Sequence, residues 1–327
     1  MRPCAVRSCL VTLVLCAVLP AMAGSNNDAA QWLERMSAAM SQMTYQGTFV
    51  YLQGDEVEIM RITHVSDEQG VREHLVSISG LRREILRDSN GVRWVQGEDL
   101  QVMEDSAFAR SFFPEIPLGQ SDQASASYRL ELGSSERIAG HTGRKLKVIP
   151  KDKYRYGYTF WLEERSALLL KWELLDSDNQ RLAKLMFTDL RLGSEVDVKE
   201  LESTSQLKEY KILESSLPSG NGLSHGSPRW KPSELPTGFH LTAHRRYMEQ
   251  QNQKIFEHLV YSDGLAAISV YVESAGSDAL DQETGISRLG TTHAYSRVTD
   301  GVLITVVGDV PAITVRSIGN AVSLTSP

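Results

Sequence analysis

Residues 47–65, GTFVYLQGDEVEIMRITHV, carry the clearest structural pattern in this chain. Apolar and polar residues alternate over 47–52 and again over 57–65, which is the period-two pattern of half-buried β-strands. Gln53-Gly54-Asp55 between them is typical of a tight turn. The stretch therefore predicts an antiparallel hairpin.

The same alternation continues as far as residue 190, interrupted by short turns rich in Asp, Asn and Gly. The further candidate strands are residues 71–78, 82–87, 92–95, 128–132, 141–149, 158–162, 168–175 and 181–190. An amphipathic helix is predicted before them, at residues 29–43. Consecutive strands with tight turns predict an antiparallel meander that curls into a barrel or half-barrel.

One face of such a sheet must be buried, and strand alternation predicts which side chains point inward. The candidates are apolar or aromatic: Phe49, Tyr51, Ile59, Val148, Phe160, Leu170 and Phe187. A closed sheet would make these side chains a filled core, which is the interpretation that alternation alone favours. An unclosed sheet covered by a helix would instead leave a groove for an acyl chain.

The strand pattern breaks between residues 104 and 123, where Phe108, Phe112 and Phe113 cluster near two prolines. A flap or short helix over the barrel mouth would have this composition. A hydrophobic loop tucked against the core would have it equally.

Residues 151–158, KDKYRYGY, are denser in aromatic and cationic side chains than the rest of the chain. Stacked rings and a guanidinium group would suit an anionic head group. A plain charged hairpin turn is the other interpretation.

Residues 215–232, SSLPSGNGLSHGSPRWKP, lose all periodicity and mark a boundary. We predict a linker at 215–228 between a β-barrel domain at 24–214 and a smaller domain at 229–327. In the smaller domain, five segments alternate as antiparallel strands, and a helix is predicted from Pro311 to about Val322. This pattern predicts a small α+β domain.

His244-Arg245-Arg246 forms a basic cluster in the smaller domain. In an acidic protein, such a cluster is a candidate docking point for an acidic partner segment. A solvated strand edge is the alternative interpretation.

Residues 1–23 have the three parts of a signal peptide: Arg2 and Arg7, an apolar run, and Ala21-Met22-Ala23. Cleavage after Ala23 would export the mature chain, and a bacterial periplasm fits best. The cut removes all three cysteines, so the mature chain would have no disulfide or cysteine metal site. Lipid attachment at Cys16 is disfavoured because Leu15 stands where a small residue is needed.

The mature chain would carry 32 Lys+Arg (34 less Arg2 and Arg7) against 41 Asp+Glu, a net charge of −9. That balance argues against a nucleic-acid partner. Phosphate-binding, nucleophile-elbow and His-Glu-x-x-His motifs do not occur, and the eight histidines are scattered. The sequence therefore predicts no catalytic residue, no cofactor and no metal site.

Several segments, taken together and in order, resemble the MucB/RseB family of periplasmic regulators of the sigma-E envelope stress response. The segments lie in both predicted domains: YQGTFVY at 45–51, YRYGY at 154–158, LPTGFHLT at 235–242, YSDGLA at 261–266 with SVYVE at 269–273, and TVVGDVP at 305–311. Each segment alone is a weak signal, whereas the ordered set is specific.

The resemblance implies that the larger domain is an unclosed antiparallel β-barrel of LolA/LolB type with helices over its mouth, which reverses the preference for a filled core. It also implies that the smaller domain contacts the periplasmic part of a membrane-bound anti-sigma factor of RseA or MucA type. Family members shield that partner from the site-1 protease DegS and release it on binding lipopolysaccharide or lipid. The resemblance further implies a non-enzymatic protein and a homodimer, and some members govern alginate production.

Two alternatives to this regulator stay open at the level of sequence. A lipid or lipoprotein carrier of LolA/LolB type would need the groove but would have no use for the smaller domain. An uncharacterised hydrolase would need carboxylates or histidines brought together from distant parts of the chain.

Overall fold

A computed structural model describes residues 26–80, 82–89, 91–96, 101–104, 112–114, 121–193, 196, 201, 211–213, 227–248, 255–275 and 284–325. The predicted signal peptide and nearly all of the predicted linker at 215–228 lie outside these ranges. The described residues form three sheets, of twelve, six and two strands, and two separate buried apolar clusters. We call residues 26–213 the large-sheet domain and residues 227–325 the small-sheet domain.

In the described part of the large-sheet domain, one twelve-stranded sheet is accompanied by helices α1 and α2. Helix α1 (Asn26–Gln42) precedes the sheet, and α2 (Ser121–Ser127) lies between its two halves. The strands are β1 (Tyr45–Gln53), β2 (Glu56–Asp67), β3 (Gly70–Ser77), β4 (Arg83–Asp88), β5 (Gly91–Gln96), β6 (Gln101–Glu104), β7 (Tyr128–Ile138), β8 (His141–Pro150), β9 (Gly157–Glu163), β10 (Leu169–Leu175), β11 (Arg181–Leu192) and β12 (Lys211–Leu213).

The strand order in the large sheet is β12-β6-β5-β4-β3-β2-β1-β11-β10-β9-β8-β7. All pairs are antiparallel except the short β6–β12 pair. The predicted meander is therefore confirmed, with one long-range pairing of β1 and β11 that brings its two halves together. The sheet is not closed, because β7 and β12 are its two edges.

Helix α1 covers the inner face of this open sheet. Ala29, Leu33 and Met36 recur at helical spacing and are almost fully buried in the same apolar cluster as the strands. The predicted combination of an unclosed sheet and a covering helix is confirmed.

Gly47 lies where β1 meets β11 without room for a side chain. A Cβ at this position would lie 2.5 Å from the Asp189 carbonyl oxygen and 2.8 Å from a ring carbon of Phe187. We expect Gly47→Ala to lower the free energy of unfolding by about 1–3 kcal/mol, since backbone or ring must shift to admit the methyl group. Urea denaturation measures this change.

Gly133→Ala is the matched control in the same sheet, because its Cβ would meet only methylene groups of Lys145, at 3.2 Å. We expect it to leave the free energy of unfolding within about 1 kcal/mol of wild type. Equal losses in the two variants would contradict the close packing assigned to Gly47.

The small-sheet domain contains a six-stranded antiparallel sheet in the order β14-β15-β16-β19-β18-β17 and a two-stranded sheet of β13 and β20. Its elements are β13 (Trp230–Pro232), β14 (His240–Met248), β15 (Ile255–Ser262), β16 (Ala267–Ser274), β17 (Gly285–Leu289), β18 (Thr292–Thr299), β19 (Val302–Gly308), α3 (Ala312–Ala321) and β20 (Val322–Leu324). Helix α3 packs its Val315 and Ile318 side chains into the apolar cluster of this domain.

The predicted α+β class is confirmed for this domain, but the strand count was too low. Strand β17 was missed because it is an edge strand whose residues are nearly all exposed, so it lacks apolar alternation. Strands β13 and β20 were missed because each has only three residues.

Within the residues that the structure describes, no helix is both long enough and apolar enough to cross a membrane.

Candidate functional site

The centre of the large sheet's inner face is an aromatic cluster around Phe49. Phe49 is opposite Met60 on one side and Phe187 on the other, and all three are almost fully buried. The ring centroids of Phe49 and Phe187 lie 5.7 Å apart in an edge-on arrangement. Strand pairing thus brings residues far apart in the sequence onto one inner face.

The other predicted groove residues divide between the two faces of the sheet. Tyr51, Val148, Phe160 and Leu170 are buried in the same apolar cluster as Phe49. Ile59 is not part of it, because it pairs with Val50 and is only half buried. The prediction that Ile59 points inward is wrong, since neighbouring residues of a strand point to opposite faces and Met60 takes the inward position.

Two residues of the predicted mouth flap lie over this aromatic cluster. Phe112 is buried and Phe113 is half buried, with ring centroids 5.6 Å and 5.4 Å from that of Phe49. Trp172 Nε1 donates a 3.0 Å hydrogen bond to the Phe112 carbonyl oxygen, which holds the segment on the inner face. Phe108, the third predicted flap residue, lies outside the described residues.

The predicted basic cluster does not form a single patch. His244 Nε2 lies 2.7 Å from Oε1 of Glu257, a fully buried carboxylate. Arg245 is exposed and opposite His258, whereas Arg246 is half buried and opposite Glu257 on the other face of the sheet. Of the three predicted residues, Arg245 is the most exposed.

A buried ion pair connects the two domains. Arg155 Nη1 donates to Asp263 Oδ2 at 2.5 Å, and both side chains are fully buried. The Tyr128 hydroxyl donates to the same carboxylate oxygen at 3.0 Å, and Arg155 Nη2 donates to the Thr237 carbonyl oxygen at 2.6 Å. The guanidinium also lies over the rings of Tyr128 and Phe239.

The electrostatics of this ion pair favour its charged form. Burial on its own would lower the pKa of Arg155, but the neighbouring carboxylates of Asp263 and Asp152 outweigh burial and raise it. Burial and the Asp263 charge together raise the pKa of Tyr128 well above its usual value. Tyr128 therefore stays a neutral hydrogen-bond donor over the physiological pH range.

Further contacts surround the ion pair. Leu265 of the small-sheet domain is buried in the apolar cluster of the large-sheet domain. Gln53 Nε2 donates to Thr291 Oγ1 at 2.9 Å, and Thr291 Oγ1 donates to Asp309 Oδ1 at 3.0 Å. The Thr314 hydroxyl donates to the Tyr154 carbonyl oxygen at 2.7 Å. We call this set of contacts the joint; its members are Gln53, Tyr128, Tyr154, Arg155, Thr237, Phe239, Asp263, Leu265, Thr291, Asp309 and Thr314.

Residues 151–156 connect the antiparallel strands β8 and β9, as a charged hairpin turn would, and Lys151 and Lys153 are exposed. Arg155 departs from both interpretations offered from sequence, because it is buried and binds Asp263 of the other domain. Asp263, the partner of Arg155, is 108 residues away in the sequence. Local pattern gives no information on such a pairing.

Across the described ranges, no three His, Cys, Asp or Glu side chains come together as a metal site would need. The site consists instead of an apolar inner face, an aromatic cover and a charged joint. An open sheet with these features, joined to a small α+β domain, defines a two-domain binding protein.

Comparison with known protein families identifies the family of this chain. The family model described as the MucB/RseB N-terminal domain matches residues 28–205, and that described as the MucB/RseB C-terminal domain matches residues 224–323. The chain therefore belongs to the MucB/RseB family. The resemblance inferred from sequence is confirmed.

Individual relatives match over nearly their whole length. The sigma factor AlgU regulatory protein MucB of Pseudomonas aeruginosa is 30% identical over 314 residues, which cover 93% of this chain and 94% of that protein. The sigma-E factor regulatory protein RseB of Haemophilus influenzae is 27% identical over 296 residues, covering 89% and 90%. Because these relatives are regulators, the chain is a regulatory binding protein and not an enzyme.

A solved structure described as the complex of Pseudomonas aeruginosa MucA and MucB is similar to this chain in three dimensions. The TM-score is 0.71 at 27% sequence identity, and the match covers 92% of this chain and 100% of that one. The similarity includes both domains.

Proposed function

We propose that this protein is a periplasmic regulator that binds the periplasmic segment of a membrane-bound anti-sigma factor. The observation that carries the proposal is the match of both domains to a MucB chain solved together with MucA. In this proposal the bound regulator shields the segment from the site-1 protease, and the sigma factor stays inactive. The proposal includes the predicted signal peptide at residues 1–23, the linker at 215–228 and self-association as a homodimer.

The signal that releases the partner is proposed to be lipopolysaccharide or another acylated lipid, bound at the inner face of the large sheet. The aromatic cluster of Phe49, Phe112, Phe113 and Phe187 supports this idea, because it lies on the inner face of a sheet that is not closed, and two of its rings come from a segment that covers this face. In this account Phe112 and Phe113 occupy the position that an acyl chain takes in the lipid-bound form.

We expect the double variant Phe112→Ala/Phe113→Ala to bind a fluorescent fatty acid about tenfold more tightly, if the two rings occupy the site about nine-tenths of the time. Fluorescence titration measures the dissociation constant. Phe256→Ala, which truncates a half-buried ring of the small-sheet domain, is the control and should not change it. An unchanged or weaker affinity in the double variant would show that the two rings do not cover the lipid site.

The small-sheet domain is proposed as the main contact for the anti-sigma factor, with Arg245 as a contact residue. We expect Arg245→Glu/Arg246→Glu to weaken partner binding about tenfold or more, since reversed charges repel an acidic segment. Isothermal titration calorimetry measures the affinity, and circular dichroism confirms that the fold is intact.

The single variants and one control locate this effect. Because only Arg245 is exposed, Arg245→Glu should account for most of the loss. Arg316→Glu, at an exposed arginine of α3 in the same domain, should bind like wild type. Unchanged affinity in the double variant would exclude this cluster from the interface.

A protease-protection assay tests the proposed function. The purified mature protein should slow cleavage of the anti-sigma factor segment by the site-1 protease of the same organism, and lipopolysaccharide should restore cleavage. Cleavage at the same rate with and without the protein would reject the regulator. If the protein instead bound lipid tightly without protecting the segment, a lipid carrier would be the better interpretation.

A further inference from the structure

The joint connects the proposed lipid site to the proposed partner-binding domain through buried contacts. Its central ion pair, Arg155 with Asp263, has both side chains fully buried. Both oxygens of the Asp263 carboxylate are used, since Oδ1 accepts hydrogen bonds from the backbone N–H groups of Leu265 and Ala266. The carboxylate is thus held rigidly in its own loop while it binds the other domain.

Such a contact has two discrete states. A partly separated joint would leave a buried charge without its partner, which is strongly unfavourable, whereas a fully separated joint would return both charges to water. Intermediate openings are therefore disfavoured. A contact of this kind is suited to act as a switch between a closed and an open arrangement of the two domains.

The joint is also continuous with the inner face of the large sheet. Strand β1 carries Phe49 and Tyr51 in the aromatic cluster and ends at Gln53, which hydrogen-bonds Thr291 of the small-sheet domain. Tyr128 and Leu265 are both buried in the apolar cluster that includes Phe49. A ligand that repacks this apolar cluster would therefore displace residues of both domains at the joint.

Four of the segments that carry the family resemblance meet at the joint. Segment 154–158 supplies Arg155, 261–266 supplies Asp263 and Leu265, 235–242 supplies Phe239, and 305–311 supplies Asp309. The segments that identify the chain are thus largely those that hold its domains together. The inner-face segment 45–51 is the one that leads to the joint along β1.

We propose that the joint transmits lipid binding to the partner: the closed joint binds the anti-sigma factor segment, and lipid at the inner face favours the open joint. This inference rests on the proposed function and names its regulatory element. A lipid that binds the open form more tightly must weaken partner binding by the same factor, because the two equilibria are linked. Lipid and partner then act at different places and need not touch.

A cross-link across the joint tests this proposal. The predicted mature chain has no cysteine, so Gln53→Cys/Thr291→Cys would introduce the only two thiols, at side chains that are 2.9 Å apart in wild type. A short bismaleimide bridges the two thiols, and mass spectrometry verifies the product. The same double variant without the cross-linker is the matched control.

Binding of the labelled anti-sigma factor segment is then titrated with lipopolysaccharide. We expect both forms to bind the segment, the unlinked form to release it, and the linked form to need at least about tenfold more lipopolysaccharide, a typical allosteric coupling factor. Equal midpoints in the two forms would overturn the joint's role and leave the proposed function standing. If the unlinked form and wild type both failed to bind or to release the segment, the proposed function itself would fail.

A second measurement needs no partner. In the unlinked double variant, lipopolysaccharide alone should slow the bismaleimide reaction between the two thiols about tenfold, because an open joint separates them. The rate of single labelling by a monofunctional maleimide is the control for thiol reactivity. An unchanged bridging rate under conditions where lipopolysaccharide demonstrably binds would overturn the proposal.

Discussion

Asp263→Asn is expected to lower the stability of the closed protein by about 3–5 kcal/mol, the typical loss when one member of a buried ion pair is removed. Asparagine retains an oxygen for the Leu265 and Ala266 N–H groups, so the loop around residue 263 is preserved. Its amide group would, however, place a donor against the Arg155 guanidinium. The change therefore isolates the charge of Asp263.

Part of this loss should appear as separation of the domains, because an open joint allows Arg155 to reach water. Small-angle X-ray scattering should show a larger radius of gyration for Asp263→Asn, and chemical denaturation should show the lower stability. Asp300→Asn is the control, since Asp300 lies in an exposed turn with a φ of 48°, a conformation that asparagine tolerates.

A double-mutant cycle distinguishes the ion pair from general disruption. Arg155→Met/Asp263→Asn removes both charges and should be more stable than Asp263→Asn alone, in which the buried guanidinium keeps only Asp152 as an ionic partner and faces an amide donor. If the effects of Arg155→Met and Asp263→Asn on the free energy of unfolding simply added, the two side chains would not be coupled. The ion pair would then not be the central contact of the joint.

Phe49→Asp is expected to prevent folding of the large-sheet domain. Phe49 is fully buried and contacts the rings of Phe112, Phe113 and Phe187, so an aspartate would be placed in an apolar cluster without a partner. Thermal unfolding followed by near-ultraviolet circular dichroism should show no cooperative transition.

Phe113→Asp is the informative comparison, because Phe113 belongs to the same cluster but is half buried. It should show a cooperative unfolding transition, because a carboxylate at this half-buried position keeps contact with water. A folded Phe49→Asp variant with normal stability would contradict the packing of the inner face.

The sequence was sufficient for ten of the twelve described strands of the large sheet, because alternation in adjacent strands reports burial directly; the short strands β6 and β12 were not predicted. It placed Phe49 and Tyr51 in β1 and predicted the hairpin that follows. It was wrong for Ile59, since the face of a strand changes with a shift of one residue and the register across the 53–55 turn is not visible in the pattern.

The contacts between distant residues could not be predicted in the same way. The partner of Arg155 is Asp263, and the partner of His244 is the buried Glu257. Each pairing depends on the folded arrangement of strands and domains, whereas local composition suggested exposed cations. The family resemblance found the segments involved without showing that they meet at a joint.

Fluorescence anisotropy of the labelled periplasmic segment of the host's anti-sigma factor, titrated with the purified mature protein, is the decisive test of the proposed regulator. We predict tight binding that lipopolysaccharide reverses. The absence of binding, both with and without lipopolysaccharide, would contradict it.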